Sequence, residues 1–271
     1  MSGSLKISQF LKGNNLVKLT TSISDNGTYP DFCAKASIDT NLFINFRRNK
    51  FYGKILEHIS KELGEAYISE TKKNDSLFFN NLEVFKQNDS WGNPEMFAFP
   101  EIGQISTTTL RYIKVLSDLL KYFKNLNDLS ICEIGVGYGG QCRITNSISN
   151  PKEYTLVDIK PALMLCQRYL DNYILNSRLK YITMNELETK DYDLVISNYA
   201  FTELTREIQD VYLKKIILNS KRGYITYNEI SPENFRSYKK EELIKIIPNS
   251  RIIEEKPLTH PKNCIIVWGD I

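Results

Sequence analysis

Apolar positions follow two different patterns along the 271 residues. From about residue 129 onward, short β-branched runs alternate with stretches whose apolar positions recur every three to four residues. That is the pattern of βαβ units building a mostly parallel sheet. Seven runs read as strands: 129–134 (LSICEI), 154–158 (YTLVD), 180–184 (KYITM), 193–197 (DLVIS), 223–228 (GYITYN), 250–255 (SRIIEE) and 263–268 (NCIIVW). A helix is expected over about 161–175, opened by Pro161, whose missing N–H would be unpaired in a first turn anyway. A second is expected over about 204–219, where Ile208, Val211, Tyr212, Leu213 and Ile216 keep the helical period, and a third over about 232–247. The last two runs have no helical pattern between them, so an antiparallel hairpin should close the sheet.

The first 128 residues are patterned differently. Phe51, Ile55, Ile59 and Leu63 predict one helix over 50–63. Leu110, Ile113, Leu116, Leu120 and Phe123 predict another over 106–124, with Ser106 as its N-cap. Residues 68–105 are polar, aromatic-rich and weakly periodic, which suggests a lid, a binding loop or partial disorder. The chain therefore divides on sequence into a mainly helical extension (1–128) and an α/β domain (129–271).

Composition narrows the class. Apolar residues are 42% and charged residues 25%, which supports a packed core and excludes wholesale disorder. The mean hydropathy of -0.33 and the lack of a long apolar run argue against a membrane span. The N-terminal Met1–Lys6 has no apolar signal-peptide region, and a cytoplasmic location is expected. A net charge of +3 is too small a bias to imply a nucleic-acid partner. Five scattered cysteines without a C-x-x-C pair argue against a disulfide framework and a zinc site, and no paired aspartates mark a divalent metal. The oligomeric state is left open.

The stretch that carries chemistry is Glu133-Ile134-Gly135-Val136-Gly137-Tyr138-Gly139-Gly140, directly after the first strand of the α/β half. Glycines let the backbone turn and approach a ligand closely. The spacing of Gly135, Gly137 and Gly140 also satisfies the dinucleotide motif, so a nicotinamide cofactor competes on this motif alone. Glu133 favours a cationic ligand such as the sulfonium and aminopropyl groups of S-adenosylmethionine, and would repel a pyrophosphate. Asp158 ends the second strand, where a carboxylate can accept both hydroxyls of a ribose, which suits either cofactor. The seventh strand departs from the six-stranded dinucleotide fold.

With these residues, region 129–271 resembles the class I S-adenosylmethionine-dependent methyltransferases. The segments EIGVGYGG (133–140), SNYAFTEL (197–204) and GYITYN (223–228) carry that likeness. Joined to NFRRNKFY (45–52) and STTTLRYIKVLSDL (106–119), they resemble more narrowly the bacterial sugar O-methyltransferases found among surface-polysaccharide genes. The resemblance implies a Rossmann-like seven-stranded methyltransferase sheet with S-adenosylmethionine as cofactor. It implies that Gly135, Gly137 and Gly139 pass under the methionine moiety, with Glu133 nearby. Asp158 would hold the ribose and Ile159 pack on the adenine, with Asn185 or Glu186 at its amino group. Ser197 and Asn198 would lie beside the reacting methyl, and Tyr112, with Thr108, would close over the cofactor.

Methyl transfer to a sugar hydroxyl calls for a base. Glu203, past the fourth strand, and His260, between the last two, are the candidates, with Tyr199 positioning the acceptor. Arg47 and Arg48 form a basic patch suited to a phosphate of a nucleotide-sugar or lipid-linked glycan, and Trp91 offers a flat face for a sugar ring. Each has a bland alternative as a surface or packing residue. A metal-independent sugar or glycan methyltransferase is the expectation; a methyltransferase for another acceptor, an NAD(P)-dependent oxidoreductase and a non-catalytic cofactor-binding protein are the competitors.

Overall fold

The computed structural model describes Ser22 and residues 27–74 and 77–269; Met1–Lys6, read above for a signal, lies outside them. The chain begins with helices α1 (Thr28–Ile38), α2 (Thr40–Phe43) and α3 (Lys50–Leu56). Asp39 caps α2 by accepting the Leu42 N–H, and Asn49 caps α3 by accepting those of Phe51 and Tyr52. The helix expected over 50–63 is interrupted. Thr108 of the next long helix donates to the Leu56 carbonyl at 3.1 Å and Thr107 to that of Ile59 at 2.8 Å, and the Ser60 hydroxyl caps a new helix, α4 (Lys61–Asn74). Tertiary partners for those carbonyls outweigh the local apolar period.

The stretch expected to be a lid or loop is structured instead. It holds the end of α4, α5 (Leu77–Asn80), α6 (Leu82–Lys86) and an antiparallel pair, β1 (Phe97–Phe99) and β2 (Gly103–Ile105). Its aromatic residues Phe78, Phe85 and Phe99 are buried, so they serve packing. Helix α7 (Thr107–Phe123) follows, with Ser106 accepting the Thr109 N–H as expected.

The second half is β3 (Ser130–Ile134), α8 (Gly140–Asn146), β4 (Glu153–Val157), α9 (Lys160–Leu170), β5 (Arg178–Ile182), β6 (Leu194–Asn198), α10 (Arg206–Lys215), β7 (Gly223–Tyr227), α11 (Lys240–Ile246), β8 (Arg251–Ile253) and β9 (Cys264–Trp268). All seven expected strands of the α/β half are present, and they form one sheet in the order β5-β4-β3-β6-β7-β9-β8. The first five run parallel; β9 is antiparallel to both β7 and β8. This is an α/β fold with a mostly parallel, Rossmann-like seven-stranded sheet whose last two strands in the chain form an antiparallel pair, preceded by helices.

Alternation along the strands divides the core. Ile131, Tyr154, Leu156, Leu194, Ile196 and Tyr224 join one cluster with α1, α7, α8 and α9. Cys132, Ile134, Val157, Val195 and Ile225 face the other way, toward α10 and α11. The first cluster also contains Tyr29, Phe46, Tyr52 and Phe85, so the N-terminal helices share a core with the sheet. Strand order reverses between β3 and β6, the switch point at whose carboxyl ends open α/β sheets carry their ligand crevice.

Candidate functional site

The glycine loop leaves β3 at this crevice. Gly135, Gly137 and Gly139 have φ of 77°, 55° and 87°, the left-handed region where a side chain costs energy. Space is as restrictive as conformation: a Cβ on Gly135 would lie 2.0 Å from the Ala200 Cβ, and one on Gly137 would lie 2.8 Å from Leu56 Cδ1. The loop is flanked by two carboxylates. Glu133 is buried beneath it and accepts the Tyr154 hydroxyl at 2.7 Å. Burial, with the nearby Asp158 charge, pushes its pKa up to about 8, although the Tyr154 bond opposes the shift. Asp158, half-buried at the end of β4, accepts the Gly137 N–H at 3.2 Å and its neighbour Ile159 N–H at 2.7 Å. Burial raises it to about 6 against those bonds.

The opposite wall follows β6. The Ser197 hydroxyl donates to the Ile134 carbonyl at 3.0 Å and accepts the Phe201 N–H at 3.0 Å, so it ties the two strand ends together. Asn198 bridges the Gln141 and Thr226 side chains at 3.5 and 3.3 Å. Tyr199 holds a left-handed backbone (φ 66°), and its hydroxyl donates to the Glu255 carboxylate. Glu203 is raised above its ordinary range by burial, opposed by the Asn228 amide that donates to Oε1 at 2.6 Å and by the Arg111 charge. Its Oε2 makes no hydrogen bond among the described residues.

The N-terminal helices roof the loop. Leu56 rests on Gly137, and the Tyr112 ring fills the space beside Gly140, where a Cβ would approach within 2.4 Å of it. Thr108 is the helix-opening residue that bonds Leu56. Tyr52 and Tyr29 stack at 5.8 Å, and the Tyr52 hydroxyl is buried without a partner among the described residues. Arg111 lies between the Tyr112 and Tyr199 rings, its guanidinium carbon 5.7 and 5.8 Å from their centroids. Sequence reasoning missed Arg111, Leu56, Tyr52 and Asn228; only the position of Arg111, beside Tyr112 in the stretch 106–119, could have drawn attention to it.

The remaining expected residues are dispersed. Asn185 is exposed after β5, where the Glu186 carboxylate caps Thr183 at 2.7 Å. Ile159 is partly exposed at the start of α9. His260 is exposed in the β8–β9 connection, its Nδ1 accepting the Lys262 N–H at 3.4 Å. Arg47 is fully buried and spends all five N–H groups inside the protein, on Glu57, Asp89, the Asn88 carbonyl and Ser106. It offers no donor to a phosphate. Arg48 is exposed and bonds the Asn93 carbonyl. Trp91 packs on Phe43 and lines an open groove with Met164, Arg168 and Asp171 on α9 and its end, away from the glycine loop. Among the described residues, no set of three or more His, Cys, Asp or Glu is placed to hold a metal, and no helix is long and apolar enough to cross a membrane.

No protein-family model and no curated protein matches the chain. Solved structures that resemble part of it include the methyltransferase domain of bacterial CtHen1, 12% identical, over 59% of this chain and 96% of that one, with a TM-score of 0.45. The N-terminal domain of EvdMO1 with SAH bound is 13% identical over 71% and 97%, with a TM-score of 0.44. TehB from Haemophilus influenzae is 14% identical over 58% and 62%, with a TM-score of 0.43. The class of fold rests on the strand order of this chain rather than on these distant likenesses.

Proposed function

We propose that the protein is an S-adenosylmethionine-dependent O-methyltransferase whose acceptor is a sugar hydroxyl on a nucleotide-sugar or surface-glycan precursor. One observation carries the cofactor: a glycine loop at the switch point runs between a buried carboxylate, Glu133, and a half-buried one, Asp158. Glu133 beneath the loop disfavours a pyrophosphate and favours the ammonium and sulfonium of S-adenosylmethionine, while Asp158 suits the ribose of either cofactor. That ranks a nicotinamide dinucleotide second. The partnerless Tyr52 hydroxyl under the same roof is a further polar group that a bound nucleoside would satisfy.

Asp158 would take the ribose hydroxyls, Glu133 the cationic end, and Ile159 and Leu56 the apolar faces. The bound cofactor supplies an electrophilic methyl group. Around it, this chain aligns the acceptor and excludes water. Glu203 is the base: its free Oε2 accepts the hydroxyl proton as the acceptor oxygen takes the methyl, and Asn228 holds Oε1 so that the carboxylate cannot turn away. Tyr199, anchored to Glu255, walls the acceptor side. The sugar reading is supported by the stretches 45–52 and 106–119, which carry the family resemblance and also frame the roof of the crevice.

Calorimetric titration with S-adenosylhomocysteine tests the cofactor. Micromolar binding, on the order of −8 kcal/mol, lost in Asp158→Ala, is expected; binding of NAD(P)H instead overturns the reading. Transfer of labelled methyl to a panel of nucleotide-sugars, against RNA and protein acceptors, tests the acceptor.

A further inference from the structure

Among the described residues, Arg111 is the arginine with a buried guanidinium nitrogen that no group satisfies; half-buried Arg222 also makes one long bond, to the Phe123 carbonyl at 3.4 Å, but leaves no nitrogen buried and unpartnered. Arg47 meets two carboxylates, Arg206 grips both oxygens of Glu242, and Arg143 and Arg168 each bond two protein oxygens. Arg111 makes a single long bond, to the Leu56 carbonyl at 3.5 Å. Its Nε is buried and unpartnered, and it forms no ion pair among the described residues. The groups facing it are Tyr67, Tyr112 and Tyr199, with His58, Glu57 and Glu203 at electrostatic range; Glu57 is already engaged by Arg47. A cation withdrawn from water without a counter-charge costs stability, unless a ligand supplies the charge.

We infer that Arg111 is the anion receptor of the crevice, docking a carboxylate or phosphate oxygen of a bound small molecule between the Tyr112 and Tyr199 rings. The planar fork suits an oxyanion, and flanking aromatic faces keep water away. The oxyanion has two sources under the methyltransferase reading, on which this inference rests: the amino-acid carboxylate of the cofactor, or a phosphate or carboxylate of the acceptor. Arg111 would then be a binding and positioning residue opposite Glu203.

The test titrates the full-length protein and its Arg111→Gln and Arg111→Lys variants with S-adenosylhomocysteine, 5′-methylthioadenosine (which lacks the carboxylate) and inorganic phosphate. If the cofactor is the source, Arg111→Gln weakens S-adenosylhomocysteine by about tenfold to a hundredfold, toward the level of methylthioadenosine, which lacks the Glu133-binding amine as well and whose own affinity is unchanged. If the acceptor is the source, the variant binds S-adenosylhomocysteine normally and loses phosphate. Arg111→Lys, keeping the charge without the fork, falls between in either case. Wild-type binding of S-adenosylhomocysteine that neither variant changes, without any phosphate binding, overturns the inference and leaves the methyltransferase reading intact. Arg111-dependent phosphate binding without S-adenosylhomocysteine binding does the reverse; binding of neither overturns both. As a check on fold, ligand-free Arg111→Gln should melt close to wild type, because no ion pair is broken; a clearly lower melting temperature with unaltered ligand binding makes Arg111 structural and overturns the proposal.

Discussion

The Asn228 side-chain amide donates to the Glu203 carboxylate at 2.6 Å, joining the loop after β6 to the end of β7. Thr202 locks the arrangement from behind, since its hydroxyl donates to the Asn228 side-chain amide oxygen, Oδ1. Glu203 is thus fixed at one oxygen and open at the other. As the base, it must be ionised, so the rate should rise with pH through its elevated pKa. Glu203→Gln is expected to lower kcat by about 10²–10⁴-fold while leaving S-adenosylhomocysteine affinity unchanged. Asn228→Ala removes a bond that favours the carboxylate and should move the rising limb to higher pH. A Glu203→Gln enzyme of undiminished kcat would pass the role to another group.

Glu133 gives cofactor binding a pH dependence of its own. With a pKa of about 8, it is mostly protonated at neutral pH in the free protein. A bound cation favours the carboxylate, so binding should release a proton and tighten as pH rises from 6 to 8. Calorimetry in buffers of different ionisation enthalpy measures that proton, and Glu133→Gln should abolish its release. The same group bears on stability. Its folded pKa lies above the unfolded value, so its effect is to lower stability as pH rises between about 4.5 and 8. Glu133→Gln should therefore reduce the fall in melting temperature across that window.

Arg47 should behave as a frame residue. Its removal leaves Glu57 and Asp89 buried and uncompensated, with side chains 6% and 2% exposed. Arg47→Ala is expected to cost about 3–5 kcal/mol in denaturant unfolding. The exposed Arg48→Ala should cost under about 1 kcal/mol. Equal, small effects would mean the buried network contributes little.

Gly135→Ala combines two penalties that can be separated. The left-handed backbone costs roughly 1–2 kcal/mol for any L-residue, and the Cβ would overlap Ala200. Gly27 has a similar φ of 85° with open space around it, so Gly27→Ala isolates the backbone cost. Unfolding measurements should show Gly135→Ala the more destabilised, with S-adenosylhomocysteine binding lost in it alone.

The half of the chain that alternates strand and helix was legible because each strand there lies between apolar layers and each helix buries one stripe. The runs 129–134 and 263–268, for instance, match β3 and β9 to within a residue. Asp158 and the glycines were legible for a related reason: strand ends at a switch point are fixed by topology. The N-terminal half was less readable. His58-Ile59-Ser60 keeps the helical period, yet the helix stops there because Thr107 and Thr108, nearly fifty residues later, claim its carbonyls. Arg47 looked like a surface cation because its partners Glu57, Asp89 and Ser106 are brought to it only by folding. Arg111 had no sequence signature beyond being a charge on an otherwise buried helix face.

The order β7-β9-β8 has a consequence for the birth of the molecule. β8 precedes β9 along the chain but reaches the sheet only through it, so during synthesis β8 has no neighbour, and the outer edge of β7 stays open, until Cys264–Trp268 arrives. That edge belongs to the strand leading into Asn228. A nascent chain therefore carries an unpaired, apolar strand edge, a template for association with other chains, until β9 closes it.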